Sequence, residues 1–315
     1  MTTTPRFDAE RRAASDAALL HPRPDLAAFA VTGKDRLSWL NGLVTQDVGK
    51  LAANAGAYAL AVGKTGRIMA ELWIVAAADR VDVIAARDRL DAIRQHFDKH
   101  LIMEDVEIGE ALDRGVLFLH GPLARDLVVE ARVLGADAAM LDWTGRGNAA
   151  VVLAPEGKLA EIEAALLARA GKSGARAGDE AWDAIRIAWG LPRFGVDYDE
   201  QTLPQEAALE RLAVSFNKGC YLGQETVFML EKRGHARRRL SRIAIDTADA
   251  IAPGTEIALK DDGAVGTVTS VARDGDATMA LGYVKFKHAN AGTELSIAGH
   301  AARVIGLAAD PLAKA

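Results

Sequence analysis

The feature that most constrains the fold is a change of pattern near residue 240. From there on, the chain consists of short strand-like segments separated by turns of Gly, Asp and Asn, at a spacing of roughly 8–12 residues. This spacing is typical of a small β-barrel or β-sandwich. We therefore place a domain boundary near residue 240 and predict a small β-barrel domain over residues 241–315.

Residues 25–240 mix helical and strand patterns, which predicts an α+β domain. "GAYALAVG", "RIMAELWIVAA" and "VDVIAA" are joined by short turns and indicate a β-meander. The segment "GVLFLHGPLARDLVVEA" repeats the order strand, glycine, helix that "AFAVTGKDRLSWLNGLV" shows earlier. Residues 1–24 are predicted to form a poorly structured N-terminal tail, because "HPRP" ends them with chain-breaking prolines.

The region before the boundary also contains a long irregular segment over residues 190–209. Loops of this length are uncommon in compact domains and are often functional. "RLAVSF" after it is predicted to be a strand, and "LGQETVFMLEKR" a helix that ends at Gly234.

The composition excludes several classes of protein. The chain has 38 Lys and Arg against 43 Asp and Glu, a net charge of −5, whereas bulk nucleic-acid or membrane-surface binders are usually basic. Its single cysteine forms no internal disulfide, no apolar run reaches the ~18 residues of a membrane span, and no signal peptide is evident. We expect a cytoplasmic protein without membrane contact. The seven histidines show no metal-ligand spacing, so no metal site is predicted.

The single cysteine, Cys220, lies in the stretch "NKGCYLGQET". A free cysteine is most often an inert buried residue. Here, however, Lys218 supplies positive charge, the neighbouring glycines permit close approach of a ligand, and a helix begins just downstream. Each feature favours a reactive thiolate. The local residues leave the inert and the reactive interpretation about evenly balanced.

A basic stretch follows at residues 231–240. Its cations are Lys232, Arg233, Arg237, Arg238 and Arg239. A solvated connector between the domains is the favoured interpretation, and an anion site for a phosphate, a carboxylate tail or RNA is the alternative.

Residues 218–225, "KGCYLGQE", match the signature K-G-C-[FY]-x-G-Q-E of the YgfZ family, GcvT-like folate-binding proteins implicated in iron–sulfur cluster assembly and repair. Residues 31–48 and 190–209 resemble two further blocks of this family, and "RGHARRRL" resembles its basic exit. The resemblance implies a multi-lobed GcvT-like domain around a central hole that binds tetrahydrofolate or a related reduced folate, followed by a small C-terminal β-barrel.

The resemblance also implies the residues of a site. Cys220 and Lys218 would carry the chemistry, with the thiol facing the folate cavity. The residues expected to bind the folate or shape its site are Gly219, Tyr221, Gly223, Gln224, Glu225, Glu206, Arg233 and Arg237. Of these, Arg233 and Arg237, together with Lys232, would meet the anionic glutamate tail of the folate.

Two departures from the family pattern bear on function. Ala70 and Glu71 stand where the aminomethyltransferase of the glycine cleavage system carries two aspartates, which argues against aminomethyl transfer. Ala188 stands where many relatives carry a glutamate. We therefore expect a folate-binding helper of iron–sulfur client or assembly proteins, since one cysteine is too few to hold a cluster. There are two alternatives: a folate-dependent one-carbon transferase, and a factor linked to tRNA modification that contacts RNA through Arg237–Arg239. Whether the protein catalyses a reaction stays open.

Overall fold

The structure, a computed structural model, describes residues 7–259, 263–274 and 277–310. Two five-stranded sheets face each other, and a closed barrel follows them in the chain. This arrangement is the predicted α+β domain with a C-terminal β-barrel.

The first sheet contains the predicted meander. Its strands are β2 (Leu26–Thr32), β3 (Gly56–Val62), β4 (Ile68–Ala76), β5 (Val81–Ala86) and β6 (Glu107–Ala111), in the order β3–β4–β5–β2–β6. Successive side chains of a strand point to opposite faces. One face, including Ala59, packs on helices α2 (Arg36–Asn41) and α3 (Leu90–Asp98), and the other, including Leu60, enters a core shared with the second sheet.

The second sheet has the same layered construction. Its strands are β1 (Leu19–Pro22), β7 (Arg114–His120), β8 (Asp137–Met140), β9 (Ala149–Pro155) and β10 (Ala175–Arg176), in the order β10–β1–β7–β9–β8. Helices α4 (Ala124–Val133) and α5 (Leu159–Ala170) cover its outer face. The inner face carries aromatic side chains such as Phe118 into the shared core.

The N-terminal segment differs from the predicted tail. Residues 8–22 form helix α1 (Asp8–Asp16) and strand β1, and β1 pairs with both β7 and β10. Ala13 and Leu19 of this segment are fully buried in the shared core and so stabilise the fold. The prediction of a poorly structured tail is therefore wrong for residues 8–22, and residues 1–6 lie outside the described ranges.

Helix α6 (Asp179–Trp189) leads into the irregular segment 190–209, which is followed by helices α7 (Glu210–Ala213) and α8 (Gln224–Arg233). The predicted strand over residues 211–216 is wrong, because the amide of Ala213 bonds the carbonyl of Leu209 and closes a helical turn. The helix predicted before Gly234 is confirmed as α8.

The C-terminal strands close into a barrel. They are β11 (Arg238–Ile245), β12 (Glu256–Leu259), β13 (Gly263–Asp274), β14 (Ala277–Lys285), β15 (Glu294–Ile297) and β16 (His300–Leu307), in the order β11–β14–β13–β12–β15–β16. The predicted barrel is confirmed, and the domain limits of 25–240 and 241–315 stay predictions. Within the described residues, none of the helices combines the length and apolar character needed to cross a bilayer.

Candidate functional site

Residues 217–223, the signature loop, lie between α7 and α8 and contact the end of α2 and the turn after β3. The amide of Leu222 donates to the carbonyl of Gly42 at 3.0 Å. Gly223 has φ +77°, and a Cβ there would lie 2.3 Å from the carbonyl oxygen of Gly63. Only glycine fits this position, because it tolerates the left-handed conformation and leaves room for the neighbouring backbone.

Lys218 fixes the loop to the region after α2. Its ammonium donates to the carbonyls of Asn41, Val44 and Gln46, at 2.6, 2.7 and 2.8 Å. An ammonium has three N–H donors, so all of them are engaged. Burial lowers the pKa of Lys218 to about 8, against the opposing effect of Asp47. Lys218 was expected to act on the Cys220 thiol. With all three N–H groups bonded to carbonyls, it has no donor left for the thiol.

Cys220 is exposed at the surface of the signature loop. Gly219 before it is also exposed, and no atom lies within 4 Å of a Cβ built there. Tyr221, in contrast, is buried in the shared core with the Lys218 ammonium 5.1 Å from its ring centroid, and burial raises the pKa of Tyr221 to about 12. The loop is therefore anchored by Lys218 and Tyr221 and presents its thiol outward.

The other expected folate-binding residues are dispersed. Gln224 and Glu225 lie in the first turn of α8, and Glu225 is exposed. Glu206 accepts from the amide of Leu203 at 3.1 Å and pairs with Arg238 at 3.5 Å. Arg233, at the end of α8, and Arg237, just before β11, are both exposed.

A cavity of about 640 Å³, here called the central cavity, opens beside the first sheet. Its wall combines a carboxyl group, aromatic rings and several guanidinium groups. The defining residues are Arg23, Glu71, Trp73, Arg87, Arg193 and Phe194. A side chamber of about 210 Å³ shares Arg23, Glu71, Trp73 and Arg193 and adds Trp143 and Trp182. This size is typical of small-molecule sites, and the wall combines apolar side chains with several charged ones.

Glu71, like Asp25, is a carboxyl group that lines both cavities. It is covered from bulk solvent but open to the cavity, and the hydroxyl of Tyr58 donates to it at 2.5 Å. Burial raises the pKa of Glu71, and the Tyr58 hydrogen bond offsets part of this effect. The indole N–H groups of Trp73 and Trp143 are buried without a partner among the described residues. The wall therefore offers both an acceptor and donors to a polar ring.

The irregular segment forms one side of this cavity. Asp197 fixes it: its carboxylate accepts from Arg186 at 2.8 Å, from the amide of Arg193 at 2.9 Å and from Thr269 of the barrel at 2.5 Å. Arg193 and Phe194 thereby line the same cavity as Glu71. The functional interpretation of residues 190–209 is consistent with this position.

Two buried histidines lie behind the side chamber. His21 and His120 stack on Trp182, with ring centroids 5.0 and 4.4 Å away. Burial, assisted by Arg23, lowers the pKa of both, that of His120 to about 3. Both are therefore neutral at physiological pH and act as part of the aromatic wall.

None of the ten predicted site residues is among the described residues that line the central cavity or the side chamber. Cys220 does not line this cavity, and the described cations that do are Arg23, Arg87, Arg89 and Arg193. Sequence reasoning singled out Glu71 only as a departure from a family pattern. The sequence signal that pointed to the cavity was the long irregular segment, whereas the "HPRP" stretch, which holds Arg23, falls within the predicted poorly structured tail.

Comparison with known proteins bears on this geometry. The family model of the GCVT N-terminal domain matches residues 3–152, and that of the CAF17 C-terminal beta-barrel domain matches residues 237–308. The tRNA-modifying protein YgfZ of Vibrio vulnificus is 28% identical over 245 residues, which is 75% of this chain and 72% of that protein. The chain is thus similar to YgfZ proteins and to GcvT-like domains over most of its length. YgfZ of Yersinia enterocolitica is 25% identical over 244 residues, covering 74% and 73% of the two chains.

A solved structure shows the same fold. The glycine cleavage system aminomethyltransferase T from Bartonella henselae has a TM-score of 0.80 to this chain and 22% sequence identity, and the match covers 95% of this chain and 88% of that one. The GcvT-like architecture with a C-terminal barrel thus extends over nearly the whole chain.

Proposed function

We propose that this protein is a folate-binding accessory factor in iron–sulfur cluster assembly or repair. It holds tetrahydrofolate, or a related reduced folate, in the central cavity and acts on client or assembly proteins. The process it serves is tRNA modification, which is the process named for its relatives. The observation that carries the proposal is the Glu71 carboxyl group, which faces the cavity between Trp73 and the arginines.

The chemistry of the cavity wall fits a folate. A pterin ring presents N–H donors to Glu71 and a flat face to the aromatic residues Trp73 and Phe194. Its glutamate tail carries carboxylates, which guanidinium groups such as Arg87 and Arg193 bind through charge-assisted hydrogen bonds. When bound, a reduced folate supplies a carrier for one-carbon units, and the residues of this chain bind and orient it.

An aminomethyl transfer reaction is not favoured. Ala70 is buried on β4 beside Glu71, so the position of the second acid of the transferase pattern holds a methyl group. Two other carboxylates line the central cavity: Asp25 already pairs with Arg23 through both oxygens, at 2.9 and 2.7 Å, and Asp88 is exposed at the surface. A binding role agrees better with these residues than proton transfer by a carboxylate pair.

Cys220 supports a second part of the proposal. Because its thiol is exposed in a loop that Lys218 and Tyr221 hold in place, it is accessible to another protein. We assign it the role of a transient ligand or reactive group toward an iron–sulfur client. Cys220→Ala is expected to impair iron–sulfur enzyme activity in a deletion strain, and full rescue by this variant would remove the thiol from the account.

Titration of tetrahydrofolate into the purified protein, followed by calorimetry, tests the folate site. Glu71→Gln is expected to weaken binding at least ~10-fold, because a hydrogen bond to a charged group contributes about 1.5–3 kcal/mol. Cys220→Ala is the matched control and is expected to bind as the unmodified protein does. Absence of binding by the unmodified protein would remove the cofactor from the proposal.

A further inference from the structure

A second cavity of about 640 Å³ lies apart from the folate site. It opens between α7, α8 and the barrel, and we call it the interdomain cleft. Its wall combines buried polar side chains with aromatic rings. The residues that matter are Gln205, Glu210, Phe216, His235, Arg239 and Phe286.

Three polar atoms in this wall are buried and have no partner among the described residues. They are Oε1 of Gln205, Oε2 of Glu210 and Nε of Arg239. Gln205 is 3% exposed, and its amide nitrogen donates to the carbonyl of Val227 at 2.8 Å, which leaves Oε1 as an acceptor. Glu210 is 6% exposed and pairs with Arg239 through its other oxygen. Unsatisfied buried polar groups are costly, so these three atoms are the candidate contacts for a ligand in the cleft.

The mouth of the cleft adds an aromatic surface. The rings of His235 and Phe286 stack with centroids 4.1 Å apart and planes 14° from parallel, and Phe286 is 39% exposed. Arg233 and Arg237, on either side of His235 in the chain, are exposed, and no carboxylate pairs with them among the described residues. Aromatic faces next to exposed arginines are the combination that binds the bases and phosphates of single-stranded nucleic acid.

We propose that the interdomain cleft binds a guanine nucleotide, either free or within single-stranded RNA. Two acceptors, Gln205 Oε1 and Glu210 Oε2, require a base edge with adjacent N–H donors. Guanine has such an edge in N1–H and its amino group, whereas adenine, cytosine and uracil each have fewer donors there. The Nε–H of Arg239 matches the acceptor O6 of guanine. The base stacks on Phe286, and its phosphate meets Arg233 and Arg237.

This site is independent of the folate proposal, since it shares no lining residue with the central cavity among the described residues. Binding is therefore measured without folate, by calorimetry with GMP and UMP and by fluorescence anisotropy with a labelled single-stranded RNA that contains guanine. Failure here leaves the folate titration unaffected, and a loss of folate binding in Glu71→Gln leaves this site intact.

Phe286→Ala is the first test variant, because its side chain is partly exposed and its removal leaves the barrel core in place. Loss of one base-stacking contact is expected to weaken GMP binding ~5- to 100-fold. Phe228→Ala is the matched control: Phe228 is an aromatic residue of α8, 37% exposed, that does not line the cleft. Glu210→Gln is expected to reduce the preference for GMP over UMP, with folding checked by circular dichroism.

We expect GMP to bind at least ~10-fold more tightly than UMP, because UMP would leave hydrogen-bonding groups of the cleft without a partner. Tighter binding of the RNA than of GMP, weakened by salt and by neutralising Arg233 and Arg237, assigns the site to RNA. Equal binding of both assigns it to a free nucleotide. No binding of either, equal binding of GMP and UMP, or an equal effect of Phe286→Ala and Phe228→Ala would overturn the proposal.

Discussion

Replacement of Lys218 by methionine tests whether this residue is structural. The substitution keeps the length of the side chain but removes three hydrogen bonds, to the carbonyls of Asn41, Val44 and Gln46. Hydrogen bonds to a charged group contribute about 1.5–3 kcal/mol each, and dehydration of the ammonium offsets a large part of the sum. We expect a loss of about 3 kcal/mol in the free energy of unfolding, measured by urea denaturation at pH 7.

The control and the pH dependence sharpen this test. Lys34→Met removes an exposed ion pair with Asp105 and is expected to change stability by less than ~0.5 kcal/mol. Because the pKa of Lys218 is about 8 in the folded protein and 10.5 ordinarily, the unfolded chain binds more protons between these values. Stability contributed by this site therefore rises with pH over that interval, and Lys218→Met lacks the rise. A loss below ~1 kcal/mol with abolished function would refute the structural role.

Three further substitutions have defined outcomes. Gly223→Ala places a Cβ against the Gly63 carbonyl at a positive φ and is expected to lower the melting temperature by several degrees in a thermal scan. His120→Phe is expected to reduce the loss of stability on acidification, which urea midpoints at several pH values measure. The pKa of His120 is about 3 in the folded protein and 6.5 ordinarily, so the neutral histidine stabilises the fold above pH 6.5. This contribution is lost as the pH falls toward 3. Burial raises the pKa of Glu71, so ionisation of this group as the pH rises above 4.5 favours the unfolded chain and lowers stability. Glu71→Gln is expected to remove this decline. Parallel plots of unfolding free energy against pH for the two proteins would contradict this.

The barrel and the meander were predictable from the sequence because both depend on local patterns. Period-two alternation and turn residues determine which segments pair with their neighbours in the chain. β1 was missed for the opposite reason: its pairing with β7 joins residues about one hundred positions apart, which no local pattern reveals.

The site could be predicted only in part. Residues 218–225 predict the signature loop and the helix after it. The partners of Lys218 are backbone carbonyls, and since every residue has one, the sequence does not show which of them Lys218 binds. The central cavity brings together Arg23, Glu71 and Arg193, and only the folded chain makes them neighbours. Its wall was visible in the sequence solely as an unusually long irregular segment.

We expect the proposed folate site in the central cavity and the Cys220 thiol to be separate places on the molecule. The most direct test of this separation is the rate at which iodoacetamide alkylates Cys220, followed by mass spectrometry, with and without a saturating concentration of the stable reduced folate 5-formyltetrahydrofolate. Occupancy is confirmed in the same samples by calorimetry. We expect folate to bind and the alkylation rate to stay unchanged, because the exposed thiol does not line the central cavity. Protection of Cys220 by ~10-fold or more on folate binding would contradict it.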